Sequence, residues 1–117
     1  MTRTVMPDLI GHLEPMKDRG YIYMMTNASN KTLYIGVTSS IKKRVSEHRD
    51  GVGSEFTRKY GCTKLVYYEI YSTITQAIER EKQLKHYQRA WKNELVEKMN
   101  PQWEDLGQGI IDDPLAM

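Results

Sequence analysis

The chain has 117 residues, enough for about one domain, and its 39% hydrophobic and 27% charged residues are ordinary for a globular protein. No run approaches the ~18 uncharged apolar residues of a membrane helix, no apolar core followed by small residues marks a leader, and the single cysteine, Cys62, cannot close an internal disulfide. A cytoplasmic protein without membrane contact is therefore expected. The net charge of +2 hides an asymmetry: residues 1–104 hold all 17 Lys and Arg with 12 of the 15 Asp and Glu, and the last thirteen residues carry only acids. The basic excess gathers in Lys42-Lys43-Arg44, Arg49, Arg58-Lys59 and residues 82–92. Such clusters suit a phosphate-contacting footprint, although a solvated basic face is the simpler account on composition alone.

Residues 1–18 contain Pro7, Gly11 and Pro15 without periodicity and read as an irregular lead-in. Residues 21–25 (YIYMM) and 32–38 (TLYIGVT) are rich in aromatic and β-branched side chains and predict two strands. The polar turn formers between them predict an antiparallel hairpin. Ser39 or Ser40 can cap a helix running to about residue 49, in which Ile41 with Val45, and Arg44 with His48, stand one turn apart. Residues 50–54 (DGVGS) break it and read as a mobile loop. Residues 64–71 (KLVYYEIY) predict a third strand. Thr73 and Gln76 then have capping-box spacing at the head of one long C-terminal helix over residues 74–99, ended by Asn100-Pro101.

The inward stripe of that helix reads Ala77, Glu81, Leu84, Gln88, Trp91, Leu95, at spacings of three and four. Glu81 is out of place there, because an ionised carboxylate against a core costs several kcal/mol without compensation. A pair with Lys85 one turn on supplies only about 0.2–0.5 kcal/mol. Two readings stay open from the helix alone. Either the stripe is shallow and Glu81 reaches water, or Glu81 faces a cleft and holds a cation.

Gly20-Tyr21-Ile22-Tyr23, ten intervening residues, then Tyr34-Ile35-Gly36 resembles the paired signature of the GIY-YIG nuclease superfamily. Each tripeptide alone is weak. The combination gains force from the downstream segments, which arrive in the family's order: a helix with Arg44 and His48, Phe56-Thr57-Arg58-Lys59-Tyr60, Leu65-Val66-Tyr67-Tyr68-Glu69, the segment 77–85 (AIEREKQLK), and Asn100-Pro101-Gln102-Trp103. The likeness is to the compact single-domain, URI-like branch, related to the cleavage domain of the bacterial excision-repair nuclease. It covers residues 19–106, leaving the lead-in and an acidic flexible tail over 107–117. It implies a small α/β (α+β) fold: a three-stranded sheet that starts with an antiparallel hairpin and is flanked by helices.

The resemblance also implies an activity, the metal-dependent hydrolysis of phosphodiester bonds in DNA, in repair or recombination. It maps catalytic roles onto Tyr23, Tyr34, Arg44 and His48, a Mg²⁺ or Mn²⁺ ligand onto Glu81, and supporting roles onto Gly36 and Asn100. The chemistry accounts for these residue types. A hard divalent cation keeps several waters, so one carboxylate plus a substrate oxygen suffices. Arg44 offers a fork of donors matched to phosphate. A tyrosine, with its pKa near 10, needs a partner such as His48 to work as a base. Gly36 leaves room for a sugar-phosphate backbone. Lys42, Lys43, Arg58, Lys59, Lys82 and Lys85 are expected to contact nucleic-acid backbone. Two departures stand out: Tyr21 replaces the first glycine of the signature, and Val37-Thr38 stand where many relatives have lysine. The competing readings are a nucleic-acid-binding or protein-interaction module that kept the fold and lost useful catalysis. With no separate recognition domain in view, a protein partner is expected to supply target choice.

Overall fold

Residues 21–25 place no charged side chain on either side of the pleat, and the strand they form is covered on both. The computed structural model describes residues 19–117; the lead-in expected over residues 1–18 lies outside the described residues. Strand β1 (Gly20–Thr26) is buried along its whole length. It lies between β2 (Leu33–Thr38) and β3 (Lys64–Tyr71), antiparallel to both. A continuous apolar run is what a middle strand with two covered faces requires. The hairpin turn is held by Asn27, whose side chain accepts from the Lys31 and Thr32 N–H groups at 3.0 and 3.2 Å. Asn30 takes the left-handed backbone (φ 62) that asparagine tolerates.

Alternation along the strands divides the core in two. Tyr21, Tyr23, Met25 and Leu65 pack with Ile41 and Val45 of α1 (Ile41–Arg49) and Ile110 of α5 (Gly107–Asp112). Ile22, Met24, Ile35 and Val66 pack with Ala77 and Leu84 of α3 (Ile74–Lys85) and Val96 of α4 (Arg89–Met99). The remaining helix, α2 (Glu55–Tyr60), comes after the loop that ends α1. The sequence reading missed it. Its signals were Ser54, whose hydroxyl accepts from the Thr57 N–H, and Gly61 in the left-handed conformation (φ 65) just past its end.

The capping box forms as expected: Gln76 N–H donates to Thr73 Oγ1 and Thr73 N–H to Gln76 Oε1, each at 3.2 Å. The helical run over 74–99 is not continuous, however. It breaks at residues 86–88, where Gln88 is extended (φ −68, ψ 155) and starts α4. An unbroken helix of that length would extend about 39 Å, against about 23 Å for a seven-residue strand, so its second half would leave the sheet. The break returns it, and Arg89 anchors the new start by donating to the carbonyls of Asn30 and Lys31 at 2.7 and 2.9 Å. The expected stripe fails beyond Leu84 for this reason. Val96 is the buried residue of α4, while Gln88 and Trp91 are exposed and Trp91 sits edge-on to Tyr87.

Two end features also differ from expectation. Ser40 stands at the N-cap of α1 without a side-chain cap bond, and the Lys42 N–H donates instead to the Met117 carbonyl at 3.2 Å. Residues 107–117, expected as a flexible tail, form α5 and bury Ile110, with Leu106, Ile111 and Ala116 packed alongside. Of the acids that suggest a tail, Asp112 is exposed and Asp113 is partly buried, accepting from the Leu115 N–H. Asp105 fastens its start, pairing with Arg49 at 3.0 Å and accepting from the Leu65 and Gly107 N–H groups.

Candidate active site

Pairing of β1 with β2 sets Tyr23 opposite Gly36 and Met25 opposite Tyr34. Tyr23 and Tyr34 thus rise on the α1 side of the sheet, their ring centroids 6.2 Å apart. The i,i+4 spacing in α1 turns His48 down to meet them. Its ring lies 5.6 Å from that of Tyr23 and 5.8 Å from that of Tyr34, and the residue is 3% exposed. Side-chain space here is fully allotted. A Cβ on Gly36 would overlap the Tyr23 hydroxyl and the end of its ring. The room kept by Gly36 therefore belongs to Tyr23, in contrast to the backbone approach expected. Gly53, in the loop after α1, does the same for His48: a Cβ there would overlap the imidazole.

The hydrogen bonds around His48 have one consistent direction. Thr57 Oγ1 lies 3.0 Å from the Ser54 carbonyl oxygen, which can only accept, so the single hydroxyl proton is spent there. With its proton on that carbonyl, Thr57 accepts from Ser54 Oγ or from His48 Nδ1, 3.1 and 3.0 Å away. Neutral His48 carries its hydrogen on Nδ1 and turns the Nε2 lone pair toward the Tyr23 hydroxyl at 3.2 Å. Tyr23 is the donor of that bond. Burial, then the Arg44 charge, lowers the His48 pKa, with Glu47 opposing. Burial, then Tyr34, raises that of Tyr23 well above the phenol range, with Arg44 opposing. Both shifts favour the neutral pair, phenol and imidazole. Thr57, Ser54 and Gly53 were not singled out from sequence. The only available signal was the capping potential of Ser54.

Arg44 stands one turn before His48 with its side chain about half exposed, and Glu47 Oε1 holds it at 3.3 Å. Its charge is felt by both Tyr23 and His48. Lys42, Lys43, Arg58 and Lys59 belong to α1 and α2 on this side; all but the partly buried Lys42 are exposed. Glu81 lies elsewhere. It is on α3, whose Ala77 and Leu84 cover the opposite face, and its carboxylate pairs with Lys85 at 3.0 Å. Lys82 is exposed beside them. From that face α3 packs on β1 and on the edge strand β2. Among the described residues no three or more His, Cys, Asp or Glu gather as a ready-made metal cage. Asn100 is spent on backbone: Nδ2 donates to the Val66 and Glu104 carbonyls at 3.1 and 2.8 Å, and Oδ1 accepts from the Glu104 N–H at 2.9 Å. It ties the end of α4 to β3 and offers nothing to a phosphate.

A second polar cluster was not foreseen. Glu69 of β3 accepts from Arg80 Nε and Nη2 at 2.9 and 3.1 Å, from Tyr71 at 2.6 Å, and from the Tyr67 hydroxyl. Burial pushes the Glu69 carboxyl up, but these donors outweigh it and hold it below the usual range. The cluster clamps α3 to β3 at the residue before Glu81.

The Tyr23–His48 hydrogen bond on the α1 side of the sheet, with Tyr34 beside it and Arg44 one helical turn away, is the geometry to set against known families. The model of the GIY-YIG catalytic domain matches residues 19–94, and the chain belongs to that family of endonucleases. It is similar to a UPF0213 protein of Haloquadratum walsbyi, 36% identical over 83 residues, which cover 71% of this chain and 92% of the relative. A UPF0213 protein of Syntrophus aciditrophicus is 38% identical over 85 residues, 72% of this chain and 95% of the relative. Among solved structures, the solution NMR structure of a UPF0213 protein from Bacillus halodurans is 26% identical, with a TM-score of 0.49, and the match covers 77% of this chain and 95% of that one. No described helix is long and apolar enough to cross a membrane.

Proposed function

We propose that the protein is an endonuclease that hydrolyses phosphodiester bonds in DNA with a divalent cation, Mg²⁺ or Mn²⁺. The observation that carries the reading is the 3.2 Å contact of the Tyr23 hydroxyl with His48 Nε2, with Thr57 Oγ1 3.0 Å from the other ring nitrogen, an arrangement that suits the tautomer able to accept a proton. A phenol with a raised pKa is a poor base by itself. It becomes useful when it takes a proton from attacking water while passing its own to His48, so no free phenolate is needed. Arg44, about half exposed one turn before His48, would hold a phosphate oxygen with its planar fork. Tyr34 stands beside Tyr23 and His48.

Glu81 is the residue that would hold the cation, and the donor set suits a hydrated one. A hard ion that keeps several waters takes one carboxylate and the substrate's own oxygens, and the partner of the partly buried Glu81 carboxylate, Lys85, is about half exposed and can swing away. The bound ion would stabilise negative charge on the phosphate in the transition state. The partners are nucleic acid, DNA above all, contacted by Lys42, Lys43, Arg58, Lys59, Lys82 and Lys85. The test incubates the pure protein with linear, nicked, branched and single-stranded DNA, with and without Mg²⁺ or Mn²⁺, beside the Glu81→Gln and His48→Ala variants. Metal-dependent cutting lost in both variants supports the reading. Binding without cutting in every arm would favour a module that kept only the fold.

A further inference from the structure

Helix α2 is built inside out. Of its residues EFTRKY only Thr57 is buried, while Phe56 and Tyr60 are 42% and 44% exposed. A short helix formed by apolar burial would turn its aromatic rings inward. Here the buried side is given to the threonine that holds His48, and the rings, one turn apart, are left outside. They are not isolated. Phe56 lies against Tyr34 with centroids 5.8 Å apart and planes at 30°, and Tyr60 lies 4.8 Å from Phe56. An unbroken aromatic path thus runs from the Tyr23–His48 pair through Tyr34 and Phe56 to open solvent at Tyr60. Lys59 borders it, with Nζ 5.4 Å from the centre of the Tyr60 ring.

We propose that Phe56 and Tyr60 stack the bases of single-stranded DNA as it passes Tyr34, so that the substrate of this site is unpaired DNA and not intact duplex. The proposal rests on the nuclease reading for its substrate. Exposed rings bordered by cations are what a sequence-tolerant single-strand groove needs, since every base has a π-face and every nucleotide a phosphate. Duplex DNA cannot use them, because its base faces are covered by neighbouring pairs. The ring planes also fan, tilted by 30° and then 47°, whereas bases in a duplex lie parallel about 3.4 Å apart. Splayed bases of a flexible strand can track that fan. Lys59 would track the backbone.

The test separates binding from cutting. Fluorescent single-stranded DNA, the same sequence as blunt duplex, and single-stranded RNA are titrated in metal-free buffer against wild type, Phe56→Ala, Tyr60→Ala and Phe56→Tyr. Stacking predicts that each alanine variant binds single-stranded DNA roughly 5- to 150-fold more weakly, that duplex binding changes by less than about twofold, and that Phe56→Tyr binds as wild type does. A 2-aminopurine base in the strand should be quenched by wild type and recover in the alanine variants. Equal losses on duplex and single strand, no loss at all, binding of RNA alone, or absence of single-strand binding would each overturn the proposal. Failure of the nuclease reading looks different: aromatic-dependent binding would persist while no substrate was cut with metal. Metal-dependent cutting of duplex, indifferent to Phe56 and Tyr60, would keep the nuclease and discard the stacking.

Discussion

Replacing Thr57 by valine keeps the branched shape of the side chain and removes the oxygen that accepts from His48 Nδ1. Thr57 is 3% exposed, so water cannot easily take its place. A buried N–H left without a partner costs about 1–3 kcal/mol, which the imidazole avoids by moving its hydrogen to Nε2. That tautomer presents a donor to the Tyr23 hydroxyl and abolishes the acceptor the relay requires. The same 1–3 kcal/mol, charged to the transition state, lowers turnover roughly 5- to 150-fold. Charged to folding, it lowers the Tm by roughly 4–8 °C per kcal/mol in a domain of about 100 residues. Thr57→Ser keeps the hydroxyl and should retain most of both. The assay pairs cleavage rates with ¹⁵N NMR of the imidazole: wild type should show a hydrogen-bearing Nδ1 and an unprotonated Nε2, and Thr57→Val a shift toward the other tautomer. A wild type already protonated at Nε2, or a valine variant with unchanged rate and tautomer, would refute the reasoning.

Other substitutions probe the remaining parts. Glu81→Gln removes an i,i+4 pair with Lys85, so the metal-free protein should lose at most about 0.5 kcal/mol while cutting and any stabilisation by Mn²⁺ disappear; thermal unfolding with and without Mn²⁺ reads this, and a loss of about 3–5 kcal/mol would make the residue structural. Gly36→Ala forces its new methyl against the Tyr23 hydroxyl, which should cost roughly 1–3 kcal/mol and reduce cleavage by displacing Tyr23; a neutral result in denaturant melts would show that Tyr23 can shift freely. Arg44→Ala should suppress cleavage with little change in stability, since its one side-chain partner is the exposed pair with Glu47, and His48→Tyr should be milder in cleavage; the reverse order in a rate comparison would reverse the roles. Because the folded pKa of His48 lies below its unfolded value, the unfolded chain binds more protons between the two. His48 therefore contributes stability fully above about pH 6.5, and that contribution is lost as pH falls toward the folded value. Denaturation midpoints of wild type and His48→Gln compared across that window check the sign.

What the sequence made legible was periodic or punctuated. Runs rich in aromatic and β-branched residues marked the strands, and Thr73 with Gln76 marked the start of α3, because those signals are local. The break at residues 86–88 had no proline or glycine to announce it. It arises from the length of the sheet and from the grip of Arg89 on the hairpin turn, contacts made 59 and 58 residues away in the chain. Helix α5 was obscured because its acids suggested a solvated tail, while Ile110 and Leu106 could only be recognised as core once the α1 side of the sheet lacked a cover.

The site shows the same division. Tyr23, Tyr34 and His48 come together because strand alternation and one helical turn are enough to aim them at a common point. Their partners could not be read that way. The tautomer of His48 depends on where a threonine proton goes, and that depends on a carbonyl three residues before it in a loop that looked merely mobile. Gly53 belongs to that loop, and its missing side chain is what lets the imidazole sit beneath it. The loop after α1 is thus part of the hydrogen-bond chain that ends at Tyr23. Burying Thr57 to hold His48 also fixes which way α2 faces, and so exposes Phe56 and Tyr60 beside the opening. One buried hydroxyl therefore links the protonation state of the site to the surface that a substrate would meet first.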